Sequence, residues 1–167
     1  MAIEHLDKLI ADGEALARDG QEDAAIAYFQ RLTAEHPGDP RLAFALGGAF
    51  DFAGREAEAM PPYLRARQLG LSGDDVPRWY VQVGSTLRNL NQTKEAVDLL
   101  AEGAAHFPDD AAIRIFQALA LFSDGRGGDA LAGMLDLIVK HSGAIDLRHY
   151  ERSIRAYADA LRGRRGD

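Results

Sequence analysis

Four stretches of this chain obey one spacing rule, and that rule leaves few folds open. Take Gly13, Gly47, Gly84 and Ala118 as anchors. Twelve residues after each comes an alanine: Ala25, Ala59, Ala96 and Ala130. Sixteen after each comes a larger residue: Phe29, Tyr63, Leu100 and Met134. Three after each stand Leu16, Phe50, Leu87 and Leu121, and seven after each Gly20, Gly54, Asn91 and Gly125. Twenty-four after each stand Pro37, Leu71, Pro108 and Ser142. The anchors lie 34, 37 and 34 residues apart. A period of that length marks a supersecondary unit that buries its apolar face only by stacking on copies of itself.

Each column has a physical reading as part of a helical hairpin. Glycine within a helix costs about 1 kcal/mol relative to alanine, so Gly13, Gly47 and Gly84 imply a close neighbour at those points. The alanines at 25, 59, 96 and 130 supply the matching small surface, and residues 29, 63, 100 and 134 fill the gap toward the next hairpin. Gly20, Gly54 and Gly125 suit the left-handed residue that ends a helix, with Asn91 as the usual non-glycine substitute. Pro37 and Pro108 stop the second helices, and Asp39-Pro40 supplies a cap and a first-turn proline. Asp109-Asp110 opens the fourth pair, and 71–77, LSGDDVP, opens the third with three extra residues.

These signals predict an all-α chain with helices near 3–18, 22–35, 41–53, 56–69, 76–89, 93–106, 111–123 and 127–141. A ninth helix at about 145–162 carries Leu147, Tyr150, Ile154, Tyr157 and Leu161 on one stripe, as a cap with its apolar face inward requires. The expected organisation is a single domain: repeats at about 6–39, 40–73, 77–110 and 111–144, a cap at 145–162 and a basic tail at 163–167.

At these residues the chain resembles the tetratricopeptide repeat proteins, from about Leu6 to Leu161. Leu42 to His141 resembles, more narrowly, the bacterial domain family called tetratrico peptide repeat group 5, on the phrases GLSGDD (70–75), STLRNL (85–90) and HFPDDAAIR (106–114). The resemblance implies a right-handed helical solenoid that binds other proteins, with no assigned activity. The fourth repeat departs from the pattern at Arg114 and Gln117, which stand at usually apolar places and are read as adjusting to the cap helix. The lysine, asparagine and arginine places of the family's chaperone-tail carboxylate clamp hold Ile10, Glu14, Ala45 and Gln82, so that chemistry is not implied. Only Arg78 puts a cation where the clamp has one.

Composition narrows the chemistry. The chain has 167 residues, no cysteine and a net charge of −7. Disulfides, zinc–thiolate sites and thiol nucleophiles are therefore excluded, and nucleic acid, which needs a basic face, is disfavoured. No run of eighteen apolar residues points to a membrane, and the start MAIEHLDKLIADGE lacks the basic and apolar regions of a signal peptide. The expectation is a bacterial, cytoplasmic protein. His36, His106 and His141 each fall at the end of a repeat's second helix, one or more repeats apart, where an imidazole suits the helix C-terminus better than a shared metal. Asp74-Asp75 and Asp109-Asp110 read as caps rather than catalytic carboxylates. Gly125-Arg126-Gly127-Gly128 lacks a P-loop lysine and reads as a turn. No catalytic set, metal or cofactor is expected.

What remains is the concave face lined by the first helices. Counting from the anchors places Arg41, Phe44, Phe52, Arg78, Val81, Ser85, Arg88, Asn89, Ile115 and Phe122 on it. Arginine forks there can hold a carboxylate with two prongs. The expectation is a non-catalytic scaffold: an acidic group of a protein or peptide partner meets Arg78, Arg88 and Asn89, while Phe44 and Phe52 grip an apolar side chain. Against it stands a face whose arginines pair with Asp51 or Glu14 and whose phenylalanines pack on the cap. The alternative function is self-association as a homodimer, with the lone Trp79 as its anchor if exposed, or a core residue if it packs on Tyr63 or Leu64.

Overall fold

The computed structural model describes residues 3–141 and 150–163, all helix and turn. The helices are α1 (Ile3–Arg18), α2 (Glu22–Glu35), α3 (Pro40–Phe52), α4 (Glu56–Gln68), α5 (Asp75–Asn89), α6 (Thr93–His106), α7 (Ala111–Ser123), α8 (Gly127–Lys140) and α9 (Glu151–Gly163). The first eight match the predicted spans to within a residue at either end. None is long and apolar enough to cross a membrane. The chain divides into two compact units, Met1–Thr86 and Leu87–Asp167.

The turns follow from the column of glycines. Gly20, Gly54, Asn91 and Gly125 all adopt positive φ, between 62° and 79°. After each, the next N–H reaches back to the large apolar residue three past the anchor: Gln21 to Leu16, Arg55 to Phe50, Gln92 to Leu87 and Arg126 to Leu121, at 2.8–2.9 Å. This is the Schellman closure, which satisfies carbonyls that a helix end leaves open. Asp39 caps α3 by accepting from the N–H groups of Arg41 and Leu42, and Asp110 caps α7 by accepting from Ile113. Pro61 and Pro62 lie inside α4 without ending it, because Ala59, Tyr63 and Ala66 are buried along its other side.

In the first unit α2 packs on both α1 and α3, and α4 packs on α3. Phe29, Leu42 and Tyr63 are almost fully buried between them. The close neighbours at the anchor glycines are rings rather than a small surface: a Cβ on Gly13 would meet Phe29, and one on Gly47 would meet Tyr63, at less than 3 Å. The large residues at 29 and 63 therefore fill space inside their own hairpin, sixteen residues from the glycine that makes room for them. Trp79 is core: it is 5% exposed, and its indole N–H donates to the Tyr63 carbonyl at 2.8 Å.

In the second unit α7 packs on α6 and α8, and α9 lies against α8. The cap departs from expectation. Predicted residues 145–149 lie outside the described residues, Tyr150 is a turn, and α9 begins at Glu151. Tyr150 and Tyr157, predicted inward, are 64% and 68% exposed, while Ala158 is fully buried. The seat on α8 has room only for small contacts. The Leu161 carbonyl comes within 2.9 Å of where a Gly128 side chain would begin, so alanine rather than tyrosine sits innermost.

Candidate functional site

The first unit contains a cleft of about 310 Å³ lined by α1, α3 and α5, with Phe29 and Tyr63 beneath. Its apolar surface comes from Ile10, Ala17, Phe44 and Phe52. Phe44 is buried and leans on Tyr63, ring centroids 5.6 Å apart. Phe52 stands at the rim, 58% exposed. The helical spacing of α3 explains the pair: residues eight apart lie on one side, two turns apart.

The charges of the cleft are organised around Asp75. This residue was expected to cap α5, but it is the first residue of the helix and its carboxylate faces two arginines. Arg41 reaches it through Nε at 3.2 Å and reaches Asp7 through Nη1 at 2.7 Å. Arg78 donates to it through Nη1 at 3.0 Å, lies 4.0 Å from Glu14, and stands over the Phe44 ring at 5.7 Å. Burial opposes the charge on Arg41, but the bonds to Asp7 and Asp75 outweigh it and hold its pKa above the ordinary arginine value. Arg78 differs in exposure, with 60% of its side chain in solvent against 34% for Arg41. Arg18, paired with Glu14 at 3.7 Å, is the other exposed cation on this wall.

Asp51 does not join this network. Its carboxylate accepts from the fully buried Thr86 hydroxyl at 3.0 Å and stands 3.5 Å from the Tyr63 hydroxyl. Burial raises its pKa, the bonds from Thr86 and Tyr63 only partly offsetting that, and burial beside Asp51 raises Tyr63 as well.

Of the ten groove residues counted from the sequence, Arg41, Phe44, Phe52 and Arg78 line this cleft together. Val81 and Ser85 are half-buried on α5 and do not line it; Gln82 does, as does Ala45 on α3. Counting also missed Asp75, because its reading as a cap assigned its carboxylate to its own backbone. Arg88, Asn89, Ile115 and Phe122 belong to the second unit. There Arg88 Nη2 donates to Asn89 Oδ1 at 3.0 Å, while its buried Nε has no hydrogen-bond partner among the described residues. Ile115 and Phe122 join Leu119, Leu131 and Met134 around an almost wholly apolar hollow. Arg114 and Gln117 share a smaller cleft with Arg162 of α9, in keeping with their reading as an adjustment to the terminal helix.

The histidines fall where expected: His36 and His141 are C-caps, and His106 ends α6 with Nδ1 2.9 Å from the Glu102 carbonyl. Among the described residues no group of three histidines or carboxylates is placed to hold a metal ion. Asp109 is drawn to Lys140 at 2.6 Å, a pairing that lowers its pKa.

Successive antiparallel helix pairs, closed by the same turn and packed through the same columns, define a helical-repeat protein with a lined cleft on its first helices. The chain belongs to the tetratricopeptide repeat family, whose model, described as "Tetratrico peptide repeat", matches residues 40–161. Solved structures agree on the fold. One similar chain is MamA, residues 41 to the end, from Desulfovibrio magneticus RS-1, at 20% identity and a TM-score of 0.66, with 93% of each chain covered. Another is the nearly identical TPR-like repeats of a putative kinesin light chain from Podospora anserina: 15% identity, TM-score 0.75, covering 96% of this chain and 88% of that one. A third is YrrB, described as a TPR protein with an unusual peptide-binding site, at 14% identity and a TM-score of 0.59, covering 93% and 86%. No curated protein matches the chain.

Proposed function

We propose that the chain is a non-catalytic interaction scaffold whose α1–α3–α5 cleft receives a peptide segment carrying an acidic group beside an apolar side chain. One observation carries this reading: an exposed guanidinium, Arg78, stands over an apolar floor, Phe44, beside an exposed phenylalanine, Phe52. An acidic ligand group takes the outward prong of Arg78 while Asp75 keeps the other, so the cation is pre-aimed and little side-chain entropy is lost on binding. The apolar side chain of the ligand covers Phe52 and fills the space above Phe44. A cleft near 300 Å³ is at the small end for ligand sites and suits one side chain with its neighbouring backbone. A longer ligand following α5 from Arg78 meets Val81 and Ser85 at helical spacings. The carboxylates in the cleft are held by arginines, which suits binding rather than acid–base work. Repeat scaffolds of this kind commonly bind partners along such first-helix surfaces, and YrrB, by its description, has a peptide site.

The test is selection from a displayed random-peptide library on wild type and on Arg78→Ala/Phe52→Ala, with helical circular dichroism matched. Wild type is expected to enrich peptides pairing Asp, Glu or a free C-terminus with a large apolar residue, bound more weakly as salt rises. Loss of that enrichment in the double variant supports the cleft. Equal enrichment by both proteins removes it.

A further inference from the structure

The helix that ends the chain does not sit where the next repeat would sit. The second helix of a repeat carries the surface on which the following hairpin stacks; α2 packs on α3, and α6 on α7. The column thirteen past the anchor is buried in the first and third repeats, at Ile26 and Val97, 4% and 6% exposed. In the fourth repeat that column holds Leu131, which is 52% exposed. The contacts of α9 fall on other columns. Arg162 pairs with Asp136, and Leu161 abuts Gly128. Positions equivalent to Asp136 are Arg31, Arg65 and Glu102, all exposed, and those equivalent to Gly128 are Asp23, Ala57 and Lys94, also exposed. Between these contacts Ala132 and Val139 are buried, although Ala27, Pro61 and Asp98, and Ala34, Gln68 and Ala105, are exposed in the same two columns. So α9 covers the outer side of α8 and leaves the stacking face of the last hairpin open.

That open face is apolar and continuous. Ile115, Leu119 and Phe122 lie at four- and three-residue spacings on α7, and Leu131, Met134 and Ile138 do so on α8. Phe122 is 71% exposed. Side chains so exposed offer on the order of 500 Å² of apolar surface, toward the upper end of what a monomer leaves bare. That is more than half of the roughly 800 Å² each partner gives to a standard interface.

We infer that this face is the interface of a symmetric homodimer, in which the α7–α8 surfaces of two copies of the chain pack against each other. The face of α1 does not suit head-to-tail stacking. The columns by which later first helices seat on the preceding hairpin hold Leu42, Trp79 and Ile113, and then Leu46, Val83 and Gln117; the first five of these are apolar. In α1 the same columns hold Lys8 and Asp12, both exposed charges. Seating α1 of another copy on Leu131 and Phe122 would bury these two charges against hydrocarbon. Among the described residues the α7–α8 hollow is lined by no ionisable group, so two copies pack it across a two-fold axis without burying a charge there. The inference is independent of the cleft in the first unit.

Mass measured by sedimentation or light scattering over a wide concentration range tests it. The wild-type chain is expected to pass from 18.1 kDa to twice that mass and stop there. Leu131→Glu and Phe122→Ser, both at exposed positions, are expected to keep helical content and weaken dimerisation roughly 30-fold or more. Leu64→Glu, at an exposed leucine of the first unit, is expected to dimerise as wild type does. If Leu131→Glu loses its helicity, Phe122→Ser decides. A spin label on Ile138→Cys, the sole thiol in a cysteine-free chain, is expected to give a short inter-copy distance. A wild type that stays monomeric, a mass that climbs past the dimer, or face variants that dimerise unchanged would each overturn the proposal.

Discussion

Gly47 and Tyr63 are one fitted pair: the tyrosine ring lies so close over α3 that a Cβ on the glycine would come within 3 Å of it. Tyr63 is fully buried, within hydrogen-bond distance of Asp51 at one end and beneath Phe44 at its face, so the ring has little room to withdraw. Gly47→Ala is therefore expected to destabilise by about 1–3 kcal/mol through overpacking, although alanine is the better helix former. Its neighbour Gly48 has nothing within 4 Å of the place a Cβ would take, and Gly48→Ala should stabilise by up to about 1 kcal/mol. Urea unfolding of the two variants checks the opposite signs. Equal effects would mean that the ring is not held.

Trp79 supplies an internal probe. Its indole is buried and bonded to the Tyr63 carbonyl. Its emission should lie to the blue in the native protein and move to the red on unfolding. Trp79→Phe keeps most of the bulk but removes the indole bond to a carbonyl that α4 still pairs along its own axis, a loss of about 0.5–1.5 kcal/mol. Thermal denaturation followed by circular dichroism would read it; an unchanged midpoint would show that the bond contributes nothing.

Asp51 sets a pH dependence with a definite sign. Its pKa is raised in the folded chain, chiefly by burial. A raised carboxylate pKa means that folding favours the protonated form, so stability falls as pH rises from the unfolded value through the folded one. Above that window the folded state carries a poorly solvated charge. Asp51→Asn, which still accepts from Thr86, should melt higher than wild type at pH 7, and the difference should vanish near pH 3. A destabilised variant at pH 7 would show that the charge is used.

At Asn91 the backbone is left-handed, φ 62°. Asn91→Gly should be neutral or slightly stabilising, because it removes the Cβ that the left-handed region disfavours, whereas Asn91→Ala should lose about 1 kcal/mol, because it keeps the Cβ and gives up the short polar side chain by which asparagine tolerates that region. Chemical denaturation of both variants reads the two signs; an Asn91→Ala as stable as wild type would show that the amide contributes nothing at this turn.

The hairpins were legible because their signals are local. Gly20, Gly54, Asn91 and Gly125 end helices by their own backbone preference, and Asp39 and Asp110 begin them by their own side chains. Within the cleft, Arg41, Phe44, Phe52 and Arg78 were found by counting along straight helices. Asp75 was not, since a carboxylate at a helix start caps or pairs according to which cations come near, and Arg41 comes from a helix more than thirty residues earlier.

The last helix shows the same limit. Ala27 and Ala34 occupy the columns of Ala132 and Val139, and nothing in that composition tells which pair is covered. The stripe of Leu147, Tyr150, Ile154, Tyr157 and Leu161 signalled an amphipathic helix but not its seat. By itself, then, the sequence determined the helices, their ends and their serial pairing, because those depend on spacing and backbone preference within some thirty residues. Only the tertiary structure decided that two rings fill the glycine gaps, that Asp75 joins Arg41 to Arg78, and that α9 leaves Leu131 and Phe122 bare. Each of those depends on how closely separate helices approach, and side-chain volume and desolvation settle that only once the helices have packed.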